Sequence, residues 1–241
     1  MIRSPKECDV DKQTMMRSLK MSEPRYTAEE VQEGQRVVNY MIEKGLDNET
    51  IVKRFDEISE QYNEAQNRVG YKCPKWMGES LAALYPSNRD NIQILDVAAG
   101  TGMAAIEMRK HGFVDIDGLE PSQKMLDEAK KSNLYGRYIC DMLGENTLDI
   151  ADNSYTVVTM VGLSSEIMKK LPVKALEELA RVTKTGGHVM MNNYDRNFKS
   201  DIIRANLHDL ESRGVWKLEG EQTMPNISRG VDGILQVYRV L

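Results

Sequence analysis

Near the middle of this chain a strand-like run closes on an acid and turns at once through very small residues: Ile94-Leu95-Asp96-Val97-Ala98-Ala99-Gly100-Thr101-Gly102. A helical pattern follows over residues 103–111. A turn made of Ala98, Ala99, Gly100 and Gly102 puts almost no side chain between a ligand and the backbone. The helix behind it aims its unsatisfied N–H groups and positive dipole end at the same place. Asp96 adds a negative charge to that crevice. The combination reads as a grip for a nucleoside-like ligand that carries both positive and negative groups.

S-adenosylmethionine fits that description. Gly100-Thr101-Gly102-Met103-Ala104-Ala105 also satisfies the G-x-G-x-x-G/A dinucleotide fingerprint, with Glu120 at the offset of a ribose-binding acid. A nicotinamide-dependent oxidoreductase is therefore a competing reading. Charge separates the two, because a pyrophosphate meets Asp96 unfavourably and an ammonium group is drawn to it.

The rest of the chain supplies one large α/β unit with additions. Its 241 residues, 41% of them hydrophobic, suffice for a sizeable core. A net charge of −5 disfavours a nucleic-acid surface. Cys8, Cys73 and Cys140 are odd in number and irregularly spaced, with no signal-peptide pattern ahead of them, and no apolar run is long enough for a membrane. A cytoplasmic protein with reduced thiols is expected. Residues 1–35 read as a mobile tail, although Thr27-Ala28-Glu29-Glu30 has the form of a helix start. Residues 36–90 read as a helical lid segment, with Val37, Val38, Met41 and Ile42 on one face and Ile51, Phe55 and Ile58 on another. Residues 91–241 alternate strand and helix. Strands are expected at 92–97, 115–120, 136–141, 155–162 and 188–193, and helices at 103–111, 122–132, 173–182 and 198–213. Two strand-like runs at 215–223 and 232–241 then form an antiparallel hairpin. Such alternation predicts a parallel sheet with crossover helices.

From about residue 55 onward the chain resembles the class I S-adenosylmethionine-dependent methyltransferases. The run from Ile94 to Gly102 resembles their first motif. Leu119-Glu120-Pro121-Ser122-Gln123-Lys124-Met125 resembles the second, and residues 178–187 the helix and glycine corner before the fifth strand. Phe55-Asp56 with Tyr62, Tyr71-Lys72-Cys73-Pro74 and Gly214-Val215-Trp216 are similar, more narrowly, to the methyltransferase-like proteins of the Williams–Beuren syndrome region. The resemblance implies a Rossmann-like, doubly wound seven-stranded sheet of order 3-2-1-4-5-7-6, its last strand antiparallel. It also implies S-adenosylmethionine as cofactor and S-adenosylhomocysteine as product. Glu120 takes the ribose position and Asp141 the adenine side. Tyr62 and Tyr71 either close over the cofactor or pack as core aromatics, and Met125 and Met142 either line the adenine slot or fill the core. Pro121 and Val161 complete the expected cofactor set with Asp96, Ala98, Ala99, Gly100, Thr101 and Gly102. Ala98, Thr156 and Thr185 depart from the commoner residues of the class.

No nucleophilic triad is expected, since a sulfonium methyl is already activated and transfer needs mainly an aligned acceptor and excluded water. Ser164, Ser165, Glu166, Tyr194 and Asp195 are candidates for positioning the acceptor or serving as base. No cluster has metal-ligand spacing. The acceptor is expected to be a small molecule or a protein side chain, while a noncatalytic cofactor-binding regulator is the reading from a different class.

Overall fold

The computed structural model describes residues 26–241. Residues 1–25, including Cys8, lie outside the described residues. The remainder of the span read as a tail is helical: α1 (Ala28–Met41) opens on a capping box in which Thr27 and Glu30 satisfy each other's backbone N–H groups. Helix α2 (Asn48–Arg68) is capped by Asp47, whose carboxylate accepts from the Thr50 N–H. Helix α3 (Cys73–Leu84) has Pro74 in its first turn, where a missing N–H costs nothing, and stops before Pro86.

The sheet comprises β1 (Ile94–Val97), β2 (Ile116–Leu119), β3 (Tyr138–Ile139), β4 (Tyr155–Val161), β5 (Thr183–Tyr194), β6 (Trp216–Ser228) and β7 (Val231–Val240). Their order is β3-β2-β1-β4-β5-β7-β6. The first five are mutually parallel, and β7 runs antiparallel to both β5 and β6. Crossovers are made by α4 (Met103–Lys110), α5 (Gln123–Lys131), α6 (Ser165–Lys170) and α7 (Val173–Val182). The helix expected at 198–213 is two, α8 (Asp195–Phe198) and α9 (Asp201–Ser212), parted at Ser200. Strand β5 starts at Thr183, earlier than expected, because Thr183 pairs with Tyr155 across an irregularity before the regular register begins at Val157 and His188. β3, at the sheet edge, keeps only two residues of the expected six.

Alternate residues feed opposite cores, as the strand period requires. Leu95, Val97, Val158, Met160, Val189 and Met191 face one layer, which also buries Trp216. Ile94, Val157 and Met190 face the other, against Met77, Leu81 and Met108 of α3 and α4. Trp216 stacks on Tyr238 at 4.7 Å between centroids and donates its indole N–H to Leu207 O, so a large apolar body is buried with its one donor used. A third, smaller cluster joins α1 and α2 to α5 through Met41, Ile58 and Met125. The N-terminal helices are thus seated over the C-terminal ends of β1 and β2, where open α/β sheets place their ligand crevice.

Candidate functional site

The corner after β1 is shaped by backbone before side chains. Ala98, Gly100 and Gly102 all have positive φ, at 54°, 54° and 85°. A Cβ on Gly102 would lie 2.4 Å from Leu134 Cδ1, whereas one on Gly100 would meet nothing within 4 Å. Gly102 therefore serves close packing beneath the turn, while Gly100 borders open space. Ala99 anchors the turn by donating its N–H to Leu119 O.

Two carboxylates close the neighbouring strands. Asp96 is 1% exposed; its Oδ2 accepts from the Tyr135 hydroxyl at 2.7 Å and its Oδ1 from Thr159 at 2.9 Å. Burial pushes its carboxyl up to about 6, against the pull of those two bonds. Each Asp96 oxygen thus accepts one inward bond, and the carboxylate presents almost no surface to the crevice. Glu120, at the end of β2, accepts the Gly100 N–H on Oε2 at 2.9 Å and the Ser122 N–H on Oε1 at 3.0 Å. Burial raises its carboxyl to about 7, the two N–H bonds opposing and the charges of Asp96 and Asp56 reinforcing that rise. Each Glu120 oxygen thus accepts one backbone N–H and keeps a second acceptor position, and the residue is 7% exposed.

Helix α2 grips both corners. Asn63 Oδ1 accepts from the Thr101 hydroxyl, and Asp56 Oδ1 accepts from Ser122 Oγ at 2.6 Å and the Lys124 N–H at 3.2 Å. Between α2 and the loops after β2 and β3 lies a crevice of about 600 Å³, walled by Val52, Lys53 and Asp56 on one side and by Pro121, Asp141 and Met142 on the other. Asp141 is tied to the Met142 N–H at 2.7 Å and to Asn146. Met125 is wholly buried with Met41 and Ile58 and does not line the crevice. Tyr62 packs near Phe55 on α2, its phenol pushed up to about 12 by burial. Tyr71 lies over the end of β4, where a Cβ on Gly162 would strike its hydroxyl at 1.5 Å. Burial holds the Tyr71 phenol well above its ordinary range, and Cys73, Tyr62 and Tyr194 lie close enough to act on it. Cys73, wholly buried and pushed up to about 12 by burial, is no nucleophile.

Residues 94–187 match the family model described as a methyltransferase domain. The chain is 31% identical to methyltransferase-like protein 27 of Homo sapiens over 167 residues, 68% of this chain and 66% of that protein, in line with the narrower resemblance. The chain belongs to the S-adenosylmethionine-dependent methyltransferases. It is 30% identical to the ubiquinone/menaquinone biosynthesis C-methyltransferase UbiE of Sinorhizobium fredii, over 58% of this chain and 54% of that one. It therefore spans between about half and two thirds of the length of these two curated relatives. A TehB-like S-adenosylmethionine-dependent methyltransferase from Corynebacterium glutamicum shares the fold at a TM-score of 0.56 and 16% identity, over 80% of this chain and all of that one.

After β4 and β5 the strand ends carry a separate polar network. Asn193 and Asn197 both donate to Leu163 O, at 2.5 and 3.3 Å, and Asn197 accepts from Ser165. Ser164 caps α6 through the Ile167 N–H, Glu166 pairs with Lys169 at 3.6 Å, and Asp195 pairs with Lys199. Four of the five candidate positioning residues are therefore held by their own surroundings. Tyr194 is half-buried under the Arg196 guanidinium, 4.7 Å from its ring, and Asp195 keeps one buried oxygen, Oδ1, without a partner. Val161 ends β4 half-buried beside this network. Among the described residues no group of three His, Cys, Asp or Glu side chains could hold a metal, and no helix is long and apolar enough to cross a membrane. Sequence reasoning missed Asn63, Tyr135, Thr159 and the reach of Asp56. Asp56 and Asn63 lie two helical turns apart on one face of α2, and that spacing was the available signal.

Proposed function

We propose that this chain transfers the methyl group of S-adenosylmethionine to a small molecule or protein side chain whose attacking lone pair needs no protein base. The observation that carries the reading is the Glu120–Gly100–Ser122 arrangement beside the crevice, next to Pro121 of its wall. The site fits the cofactor on three counts. Gly100 leaves open space where a side chain would intrude, Glu120 offers two oxygens to the ribose hydroxyls, and Pro121, Asp141 and Met142 wall a slot for the adenine. When bound, the cofactor supplies an activated methyl on a positively charged sulfur with a neutral thioether as leaving group. The protein's share is alignment and exclusion of water. Tyr62, Tyr71 and Tyr194 enclose the sulfonium side with neutral phenols, whose ring faces favour a cation. Asp195 Oδ1 is the acceptor-side oxygen left to orient a substrate N–H or O–H.

Helices α1 and α2 serve as the lid, with Tyr62 on α2 and Tyr71 just beyond its end on the inner side. Two experiments test the reading. Calorimetric titration with S-adenosylhomocysteine should give a micromolar dissociation constant, and hydrogen exchange over residues 55–75 should slow on binding. Absence of heat and of thermal shift at millimolar ligand refutes the site, and unchanged exchange in 55–75 refutes the lid. Label transfer from the methyl-labelled cofactor to fractionated metabolites and proteins then identifies the acceptor. Binding with no transfer to any fraction would instead favour a regulatory module, the role that the committed side chains of the acceptor end also permit.

A further inference from the structure

Asp56 belongs to α2, outside the sheet, yet its carboxylate reaches the corner that carries Glu120. Helix α5 already has its own cap, since Ser122 Oγ accepts the Met125 N–H at 3.2 Å. Asp56 adds a second acceptor from a different element. It takes the Ser122 hydroxyl proton at 2.6 Å and the Lys124 N–H at 3.2 Å, so the Ser122 hydroxyl is fixed in both of its roles. The Ser122 backbone N–H is in turn one of the two donors that fix the Glu120 carboxylate. Asp56 also walls the crevice opposite Pro121 and Asp141.

We infer that Asp56 is a positioning residue of the cofactor site, acting through Ser122 to hold Glu120 in the orientation that receives the ribose. The inference rests on the proposed cofactor reading and deepens it. Its consequence is a lid that does two jobs with one helix: α2 walls the crevice and sets the acid beside it. Opening α2 withdraws Asp56 from Ser122, so Glu120 is fully aligned only when the lid is seated. Cofactor alignment and lid closure are then one event.

The charge of Asp56 also bears on Glu120, which separates positioning from mere scaffolding. Glu120 is faced by Asp96 from β1, by Asp56 and Tyr62 from α2, by Tyr135 from the segment before β3 and by Cys140 just after β3. Of these, Asp56 and Asp96 raise its carboxyl by like charge. Two backbone N–H groups and two ribose hydroxyls all need a Glu120 oxygen as acceptor, so affinity should fall as pH drops through the Glu120 titration near 7. Removing the Asp56 charge lets Glu120 stay ionised to lower pH.

The test is titration of wild type, Asp56→Asn and Asp56→Ala with S-adenosylhomocysteine from pH 5.5 to 8.5, with circular dichroism at each pH. Asp56→Asn keeps an oxygen for Ser122 and should bind within about twofold of wild type at pH 8, its pH midpoint moved down by about half a unit. Asp56→Ala releases Ser122 and should bind about tenfold more weakly at pH 8. A midpoint for Asp56→Asn that coincides with wild type, or a folded Asp56→Ala that binds as tightly as wild type, overturns the inference while leaving the cofactor reading intact. Wild type that binds no S-adenosylhomocysteine at any pH overturns both. Should Asp56→Ala fail to fold, the Asp56→Asn midpoint decides alone.

Discussion

Asp96 closes β1 and Glu120 closes β2, one strand apart, and each is a buried carboxylate accepting two hydrogen bonds. The donors to Asp96 are the buried hydroxyls of Thr159, on β4, and of Tyr135, on the segment before β3. The donors to Glu120 are N–H groups of a small-residue turn and of a helix start that α2 must hold in place. The first acid ties the sheet to the loop before β3, and in the proposed cofactor reading the second is the one that receives the ligand. Burial costs both of them, and in that reading the second recovers part of the cost on meeting a ligand, because a diol brings donors to an already desolvated acceptor. A strand-end acid in this fold is thus assigned to structure or to ligand by what donates to it, not by its position.

The sharpest way to break the contrast is at the glycines beneath the two acids. Gly102→Val forces a branched side chain into Leu134 at a positive φ and should destabilise the fold by about 3–5 kcal/mol, enough to unfold a marginal domain. Gly100→Val meets open space, so it should cost about 1–2 kcal/mol of stability through φ alone yet lower S-adenosylhomocysteine affinity more than a hundredfold. Circular dichroism with calorimetry separates the two. Were Gly100→Val to bind normally, the open space beside it would not be the cofactor's.

A smaller effect, and the most direct on the acids themselves, comes from amide replacements. Glu120→Gln should lose roughly ten- to a hundredfold in affinity with the fold intact, while Asp96→Asn should bind within about threefold of wild type. An equal loss in both variants would return Asp96 to the ligand face. The pH dependence of the ligand-free protein carries the same information. Both carboxyls titrate higher in the folded chain than in the unfolded one, near 6 and near 7. The folded state therefore holds more protons between about pH 4 and 7, and stability falls as pH rises through that window. Melting temperature should decline from pH 5 to pH 8, and Glu120→Gln should flatten the upper part of the decline. A melting temperature that climbs across the window would contradict the burial of these acids.

The smallest effect is expected at Ala98, whose φ of 54° suits glycine. Ala98→Gly should relieve strain and raise stability by about 1 kcal/mol, net of the added freedom of the unfolded chain. Thermal denaturation checks it, and a drop in melting temperature would mean that the alanine methyl packs usefully against the turn.

Much of this was legible in the residues. Asp96 to Gly102 announced a strand, a close-approach turn and a helix start, and Ser122 and Asp47 stand where capping chemistry needs them. The strand order came from resemblance, since periodicity finds strands but not their neighbours. What escaped shares a physical cause. Asp56 and Asn63 look like solvated helix residues until the helix is docked, and Asp96 looks ligand-facing until Tyr135 and Thr159, distant in sequence, arrive beneath it. Met125 has the same helical spacing whether it meets adenine or Met41. The β5 start at Thr183 depends on an irregular pairing with Tyr155 that no local pattern encodes. Side-chain direction at a site is decided by tertiary partners, and those are the part a linear reading lacks.

The corner between α2 and α3 is fastened to the last hairpin: Ser228 Oγ donates to Val69 O, 159 residues away, and the Lys72 N–H donates to Ile227 O at 2.7 Å. During synthesis these early helices are made first and must wait for β6 and β7 before that corner finds its partners. Through that interval the apolar face of α3 lacks Met224, Ile227 and Leu235 of its cluster, a period in which chaperone capture or aggregation competes with folding. Shortening the hairpin would therefore injure the molecule at its opposite end in sequence, loosening the helix that holds Glu120.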